Sequence, residues 1–270
     1  MIFVKSAEQL TLMRHAGMVL YEVLCHLCEM VKPGITTAAI DEEALRLIRK
    51  AGCTPSFLGY RGYPASVCLS PDDVVVHGIP GPQALTEGSI LSLDCGVIWQ
   101  GYHADSARTV PVGAISEAAR KLIAETERCF WLGANQARAG ARISDVSWAV
   151  ESHARANGYG VVRDLCGHGV GKSLHEDPEV PNFGPPGRGV RLRPGMTIAV
   201  EPMIVQGRHG VSMDAEDGWT VRTLDGGWCA HYEHSIAILP EGPPEILTLP
   251  KDCIPEDAWT FAGTGHEEKP

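Results

Sequence analysis

Much is missing from this chain of 270 residues, and each absence narrows what it can be. No apolar run approaches the roughly 20 residues that span a bilayer. The opening MIFVKSAEQL is too short and too polar for a signal peptide. Positive charge is in deficit: 23 Lys and Arg stand against 33 Asp and Glu, for a formal net charge of −10. That balance argues against a protein whose main task is to grip nucleic acid or an anionic membrane. There is no disulfide framework either. Nine cysteines are scattered without regular spacing, which fits a reducing compartment. Cys25 and Cys28 mimic a metal-binding CxxC, but no second pair follows and both fall in a strongly helical stretch, so they read as buried apolar residues. The expectation is a soluble cytoplasmic protein, able to bury a substantial core in one large domain or two smaller ones.

What is present begins with helices. Ser6 and Gln9 form a capping box ahead of an apolar stripe at Leu10, Met13, Gly17, Leu20, Leu24, Leu27 and Val31. Pro33-Gly34 stops that helix, and Thr36 or Thr37 caps a second that runs to Gly52. Short strands are expected at 66–70 and 74–77, then a long helix after Ser116 and another from about Ser144 to Gly158. A strand near Val161, a loop over 166–193 and strands around Ile198, Val221 and Tyr232 follow. Segments 32–52 and 138–158 align without gaps, matching Gly34 with Gly140, Ile40 with Val146, Arg49 with Arg155 and Gly52 with Gly158. With the matching order of elements, this points to two related α/β halves facing each other across a cleft. The tail after Pro250 is polar and is expected to add little to the core.

The chemistry starts in residues 89–109, which read as a strand, a tight turn and a second strand. A two-residue loop puts Asp94 and Asp105 on one face: directly opposite if the loop is Trp99-Gln100, diagonal if it is Gln100-Gly101. Acids so close destabilise a sheet unless a cation sits between them. Ser92, Gly96 and Ala107 make the same face small, as befits the floor of a concavity. Further along, alternation places Glu201 on a small-residue face, and His231, Glu233 and Ser235 together. An isolated acid on a strand is usually just solvated, but three segments with this pattern are harder to dismiss. The loop CGHGVGKSLHEDP adds His168 and His175, each a better candidate for ligand or catalyst than for core packing. Its Gly171-Lys172-Ser173 imitates a phosphate-binding loop, but that pattern needs glycine at 166, where Cys166 stands, so nucleotide binding is rejected.

Val76-His77-Gly78-Ile79-Pro80, Asp94/Asp105, Cys166-Gly167-His168-Gly169, His175-Glu176, Glu201-Pro202-Met203 and Tyr232-Glu233-His234 together closely resemble type I methionine aminopeptidases, from about Ser6 to about Pro250. The resemblance implies an α+β pita-bread fold: two pseudo-symmetric halves, about 6–112 and 113–250, around a curved antiparallel sheet. They would form a single catalytic domain over 1–250, with a polar tail over 251–270. It implies metal ligands Asp94, Asp105, His168, Glu201 and Glu233, and non-ligand histidines His77 and His175 beside the substrate. Tyr60, Tyr63, Cys68 and Trp219 would line a methionine pocket, whose aromatic and sulfur surfaces suit a thioether. Phe57, Arg61 and Leu174 depart from familiar bacterial members and would alter the shape of that pocket.

Four carboxylates and one imidazole neutralise two divalent cations, and this oxygen-rich set suits Mn, Fe(II) or Co at least as well as Zn. On this reading Glu201 moves a proton from water to the leaving amine, His175 donates to the developing oxyanion and His77 holds the scissile amide. The substrate would be the N-terminus of a peptide or nascent polypeptide with a small second residue, which implies that this chain keeps its own Met1 ahead of bulky Ile2. A monomer is expected, without nucleic acid or membrane as partner, and a transient ribosome contact would need a local basic patch. The competing readings are an X-Pro metallopeptidase of the same fold, which generally carries an additional N-terminal domain, and a metal-free pita-bread binding protein, which would have lost ligands that this sequence retains.

Overall fold

Residues 1–260 are described by a computed structural model. Helix α1 (Ala7–Met30) begins at the expected box: Ser6 N donates to Gln9 Oε1 at 2.8 Å while Gln9 N donates to Ser6 Oγ at 3.4 Å. Its stripe of Met13, Leu20, Leu24 and Leu27 is fully buried. Of the two threonines, Thr36 caps helix α2 (Thr37–Lys50), accepting from Ala39 N. Helix α3 (Glu117–Gln136) is capped by Ser116. Helix α4 (Ile143–Ala156) starts slightly ahead of Ser144, because the Asp145 carboxylate accepts from Arg142 N at 2.8 Å and closes the first turn there.

The internal repeat is visible in the backbone. Gly34 and Gly140 both turn with positive φ, 86° and 92°, as do Gly52 and Gly158 at 74° and 82°. Gly34 N donates to Leu85 O at 2.8 Å, and its counterpart Gly140 N to Leu192 O at 2.9 Å. Matched glycines thus end matched helices, where a residue with a Cβ would be strained.

A nine-stranded antiparallel sheet carries the acids. Its main path runs through Thr54–Pro55, Ile90–Trp99, Tyr102–Pro111, Glu233–Ala237, Thr197–Val200, Gly167–Gly169 and Glu176–Val180. Val67–Pro71 pairs beside the first long strand and Glu245–Ile246 beside Glu233–Ala237. The hairpin turn is Gln100-Gly101, with φ of 46° and 79°, the two left-handed residues that a tight right-twisted hairpin requires. Trp99 therefore pairs with Tyr102, Gly96 with Asp105 and Asp94 with Ala107, so the two acids lie on a diagonal of one face. Helix α1 packs on this hairpin through a core that includes Leu91, Leu93, Val97 and Ala104.

Two expectations need correction. The segment 166–193 is not all loop: it contributes the strands Gly167–Gly169 and Glu176–Val180, and His168 is buried in the first of them. Glycine on either side makes that burial feasible, since a Cβ at Gly167 or Gly169 would run into the backbone of Ala199 or Asp177. The tail after Pro250 also adds to the core. Ala258 is fully buried, and Trp259 meets Trp131 edge-on with ring centroids 5.8 Å apart. Positions 261–270 of the expected tail lie outside the described residues.

Candidate active site

Neighbouring strands bring the expected residues to one cavity of about 170 Å³. Asp94, Asp105, His168, Glu201 and Glu233 line its floor, together with His77, His175 and His231. Ligand atoms of Asp105, His168 and Glu233 lie within 4.8 Å of one another. The backbone around them is clamped by side chains: Ser235 Oγ accepts from Asp105 N and donates to Asp105 O, both at 3.0 Å, and Ser106 Oγ donates to Glu233 O at 2.7 Å. Asn182 Nδ2 donates to Glu201 O at 2.9 Å, which pins the chain where it leaves the strand Thr197–Val200.

Crowding and burial set the electrostatics. Burial pushes the carboxyls of Asp94, Glu201 and Glu233 well above the usual range, with neighbouring acids adding to it, and raises Asp105 to about 7. Asp94 Oδ1, Asp105 Oδ1 and Glu233 Oε1 are buried without a hydrogen-bond partner among the described residues. His168 sharpens the point. Its Nδ1 lies 2.9 Å from Gly169 O and so must donate, which leaves the Nε2 lone pair of the neutral ring facing Glu201 at 3.5 Å and Asp105 at 3.8 Å. Once ionised, those carboxylates repel the lone pair, and a divalent cation between them turns repulsion to attraction. An imidazole whose other nitrogen is held by a carbonyl is the usual form of a histidine ligand. The donor set fits such a cation.

Residues 11–240 match the model of metallopeptidase family M24. The chain is also 51% identical over 251 residues to a methionine aminopeptidase of Clostridium perfringens, spanning 93% of this chain and 100% of the relative. It belongs to the methionine aminopeptidases of family M24. Solved methionine aminopeptidases from Rickettsia prowazekii (TM-score 0.91, 36% identity) and Thermotoga maritima (0.90, 39%) match 92% and 93% of this chain and all of theirs. The architecture is accordingly the pita-bread fold, as expected.

In this aminopeptidase the remaining site residues gather on one wall. Phe57, Tyr63, Cys68 and Leu174 form a buried apolar cluster against which Tyr60 and Trp219 pack. Tyr63 holds its place by donating to Gly78 O at 3.0 Å and meeting Trp219 edge-on at 5.1 Å. Cys68 lies directly across the strand pair from Asp94, so the apolar wall and the acids share one sheet. Arg61 lines the same cavity and sits over the Tyr60 ring. His77 is held at φ 60°, a strained conformation for a residue with a Cβ, which is a common mark of functional sites. His175 Nδ1 lies 2.9 Å from Tyr60 Oη, and burial with its basic neighbours lowers its pKa to about 3, so the ring is neutral. His231 was singled out in the sequence only for sharing a face with Glu233. Its position on the cavity is a structural finding.

Proposed function

We infer that this protein hydrolyses the first peptide bond of chains that begin with methionine, acting on nascent proteins and peptides whose second residue is small. The observation that carries the reading is the buried floor itself: orphaned carboxylate oxygens around an imidazole whose free lone pair faces two acids, opening onto an apolar pocket. On this reading Asp94, Asp105, His168, Glu201 and Glu233 hold two divalent cations, Mn, Fe(II), Co or Zn. When bound, such a pair polarises a carbonyl and activates water, the role that metal pairs play in aminopeptidases generally.

The chain's own residues account for the rest. Glu201 lines the cavity floor, where its carboxylate takes a proton from water and returns it to the leaving amine. A neutral His175 donates an N–H to the oxygen of the scissile carbonyl as charge develops, a contribution of up to a few kcal/mol to the barrier. His77, edge-on to Trp219 with ring centroids 6.0 Å apart, holds the scissile amide. Phe57, Tyr60, Tyr63, Cys68, Leu174 and Trp219 surround the methionine side chain, and their apolar surfaces exclude water from it. A free α-amine, in its neutral form, would be taken up as a ligand at this floor, which restricts cleavage to chain ends.

Release of methionine from Met-Ala-Ser and Met-Leu-Ser, with added Mn or Co and then with chelator, tests this. Metal-dependent cleavage of the first alone is expected, and Glu201→Gln should lower kcat by about 10²–10⁴-fold in a folded protein. Equal cleavage of both peptides would refute the small-residue rule, and cleavage that survives chelation would refute the metal assignment.

A further inference from the structure

His231 is buried to 1% exposure, and neither of its ring nitrogens has a hydrogen-bond partner among the described residues. A buried polar group left in that state is costly and calls for an explanation. The backbone at this position is held on both sides, because His231 N donates to Thr109 Oγ1 and Thr109 Oγ1 donates to His231 O, both at 2.9 Å. Across the strand pair its register partner is Met203. The side chain faces the cavity, with Nε2 3.8 Å from Glu233 Oε2 and 4.0 Å from Glu201 Oε2.

The two oxygens of Glu201 are thus divided. Oε1 faces His168 at 3.5 Å, and Oε2 faces His231 at 4.0 Å. An acid that serves a cation through one oxygen leaves lone pairs on the other, and these need a donor in a buried site. Among the described residues no acceptor meets Nδ1, while two carboxylates face Nε2, and that asymmetry puts an N–H on Nε2. Both separations are about 1 Å longer than an ordinary N–H···O hydrogen bond, a gap that catalytic contacts commonly close on loading.

We propose that His231 is a positioning residue, whose Nε2–H donates to the outer oxygens of Glu201 and Glu233 and so orients both for metal binding and Glu201 for proton transfer. The proposal rests on the ligand assignment above. It predicts a dependence on which atom carries the N–H. The amide nitrogen of Gln reaches where Nε2 stands and that of Asn reaches only as far as Nδ1, yet both residues are polar and smaller than histidine.

The test compares wild type, His231→Gln, His231→Asn and Glu233→Gln by isothermal titration with Mn²⁺ and by kcat and KM on Met-Ala-Ser. His231→Asn should bind Mn²⁺ about 10–100-fold more weakly and lose kcat by a similar factor with KM little changed. His231→Gln should recover to within several-fold of wild type in both. In the Co²⁺-loaded protein, the hyperfine-shifted imidazole N–H signal of a single ligand histidine should persist in both variants. Wild-type affinity and kcat in His231→Asn, equal loss in both variants, or a shifted imidazole signal that disappears with His231 would each overturn the proposal. Unaltered Mn²⁺ binding by Glu233→Gln would instead overturn the ligand assignment beneath it.

Discussion

Removing Lys5 should cost this protein a large part of its stability, although Lys5 belongs to no helix or strand. Its Nζ lies 2.6 Å from Glu176 Oε2, with the two side chains only 4% and 5% exposed. The other Glu176 oxygen accepts from Ser173 N at 3.2 Å. Lys5 N donates to Gly195 O at 2.7 Å, so the N-terminal segment is stitched to the body beside the loop that presents His175. Lys5→Met strands the Glu176 carboxylate in a buried site, and breaking a buried pair in this way costs about 3–5 kcal/mol. At about 2–4 °C per kcal/mol for a domain of this size, the melting temperature should fall by roughly 6–20 °C. Adding Glu176→Gln removes the stranded charge and should restore most of the loss. Urea denaturation of wild type, both single variants and the double variant measures the cycle, provided the m-value stays constant. A Lys5→Met protein within about 1 kcal/mol of wild type would refute the reasoning, as would a double variant no more stable than Lys5→Met alone.

Stability of the chelator-treated protein should fall as pH rises from about 4 to about 7. Asp105, raised to about 7 by burial, and the raised Asp94, Glu201 and Glu233 hold protons in the folded state there, whereas unfolded carboxyls release them near 4. Added Mn²⁺ should reverse the trend by stabilising the charged forms, and thermal melts at pH 5.5 and 7.5 with and without metal would expose the opposite slope if the acids were not crowded. Gly96→Ala should disturb the methionine pocket from behind, because a Cβ there stands 2.8 Å from Ser56 Cβ and 3.0 Å from Phe57 Cε1. About 1–3 kcal/mol of destabilisation and a raised KM for Met-Ala-Ser are expected, and an unchanged KM would show that Phe57 does not shape the pocket.

The parts of the site that sequence could reveal are those with a period. Two-residue alternation put Asp94 and Asp105 on one face, but only the left-handed pair Gln100-Gly101 decides between opposite and diagonal. The alternation likewise grouped His231 with Glu233 while saying nothing of the unpartnered ring, which depends on what strands from distant segments bring near it. The strand Gly167–Gly169 has no period to read at three residues, and its glycines answer to neighbours far away in sequence. Trp259 reads as part of a polar tail until Trp131 is found beneath it. The false phosphate loop is explained by packing as well. A Cβ at Gly171 would stand 2.6 Å from both Lys5 Cε and Glu176 Oε1, so that glycine makes room for the buried ion pair.

The order of the sheet carries a consequence for synthesis. Adjacent strands contribute residues 94, 105, 233, 201 and 168 in that spatial order, so the central strand of the floor is the one translated last. A chain emerging from synthesis holds the diagonal pair Asp94 and Asp105 early, then His168 and Glu201, with a gap between them until Glu233–Ala237 slots in and pairs on both sides. Until then the proposed ligands have no common centre at which to hold a cation. On the ligand assignment proposed above, metal acquisition thereby becomes a checkpoint: a chain that still lacks Glu233–Ala237 has an incomplete site and should stay inert.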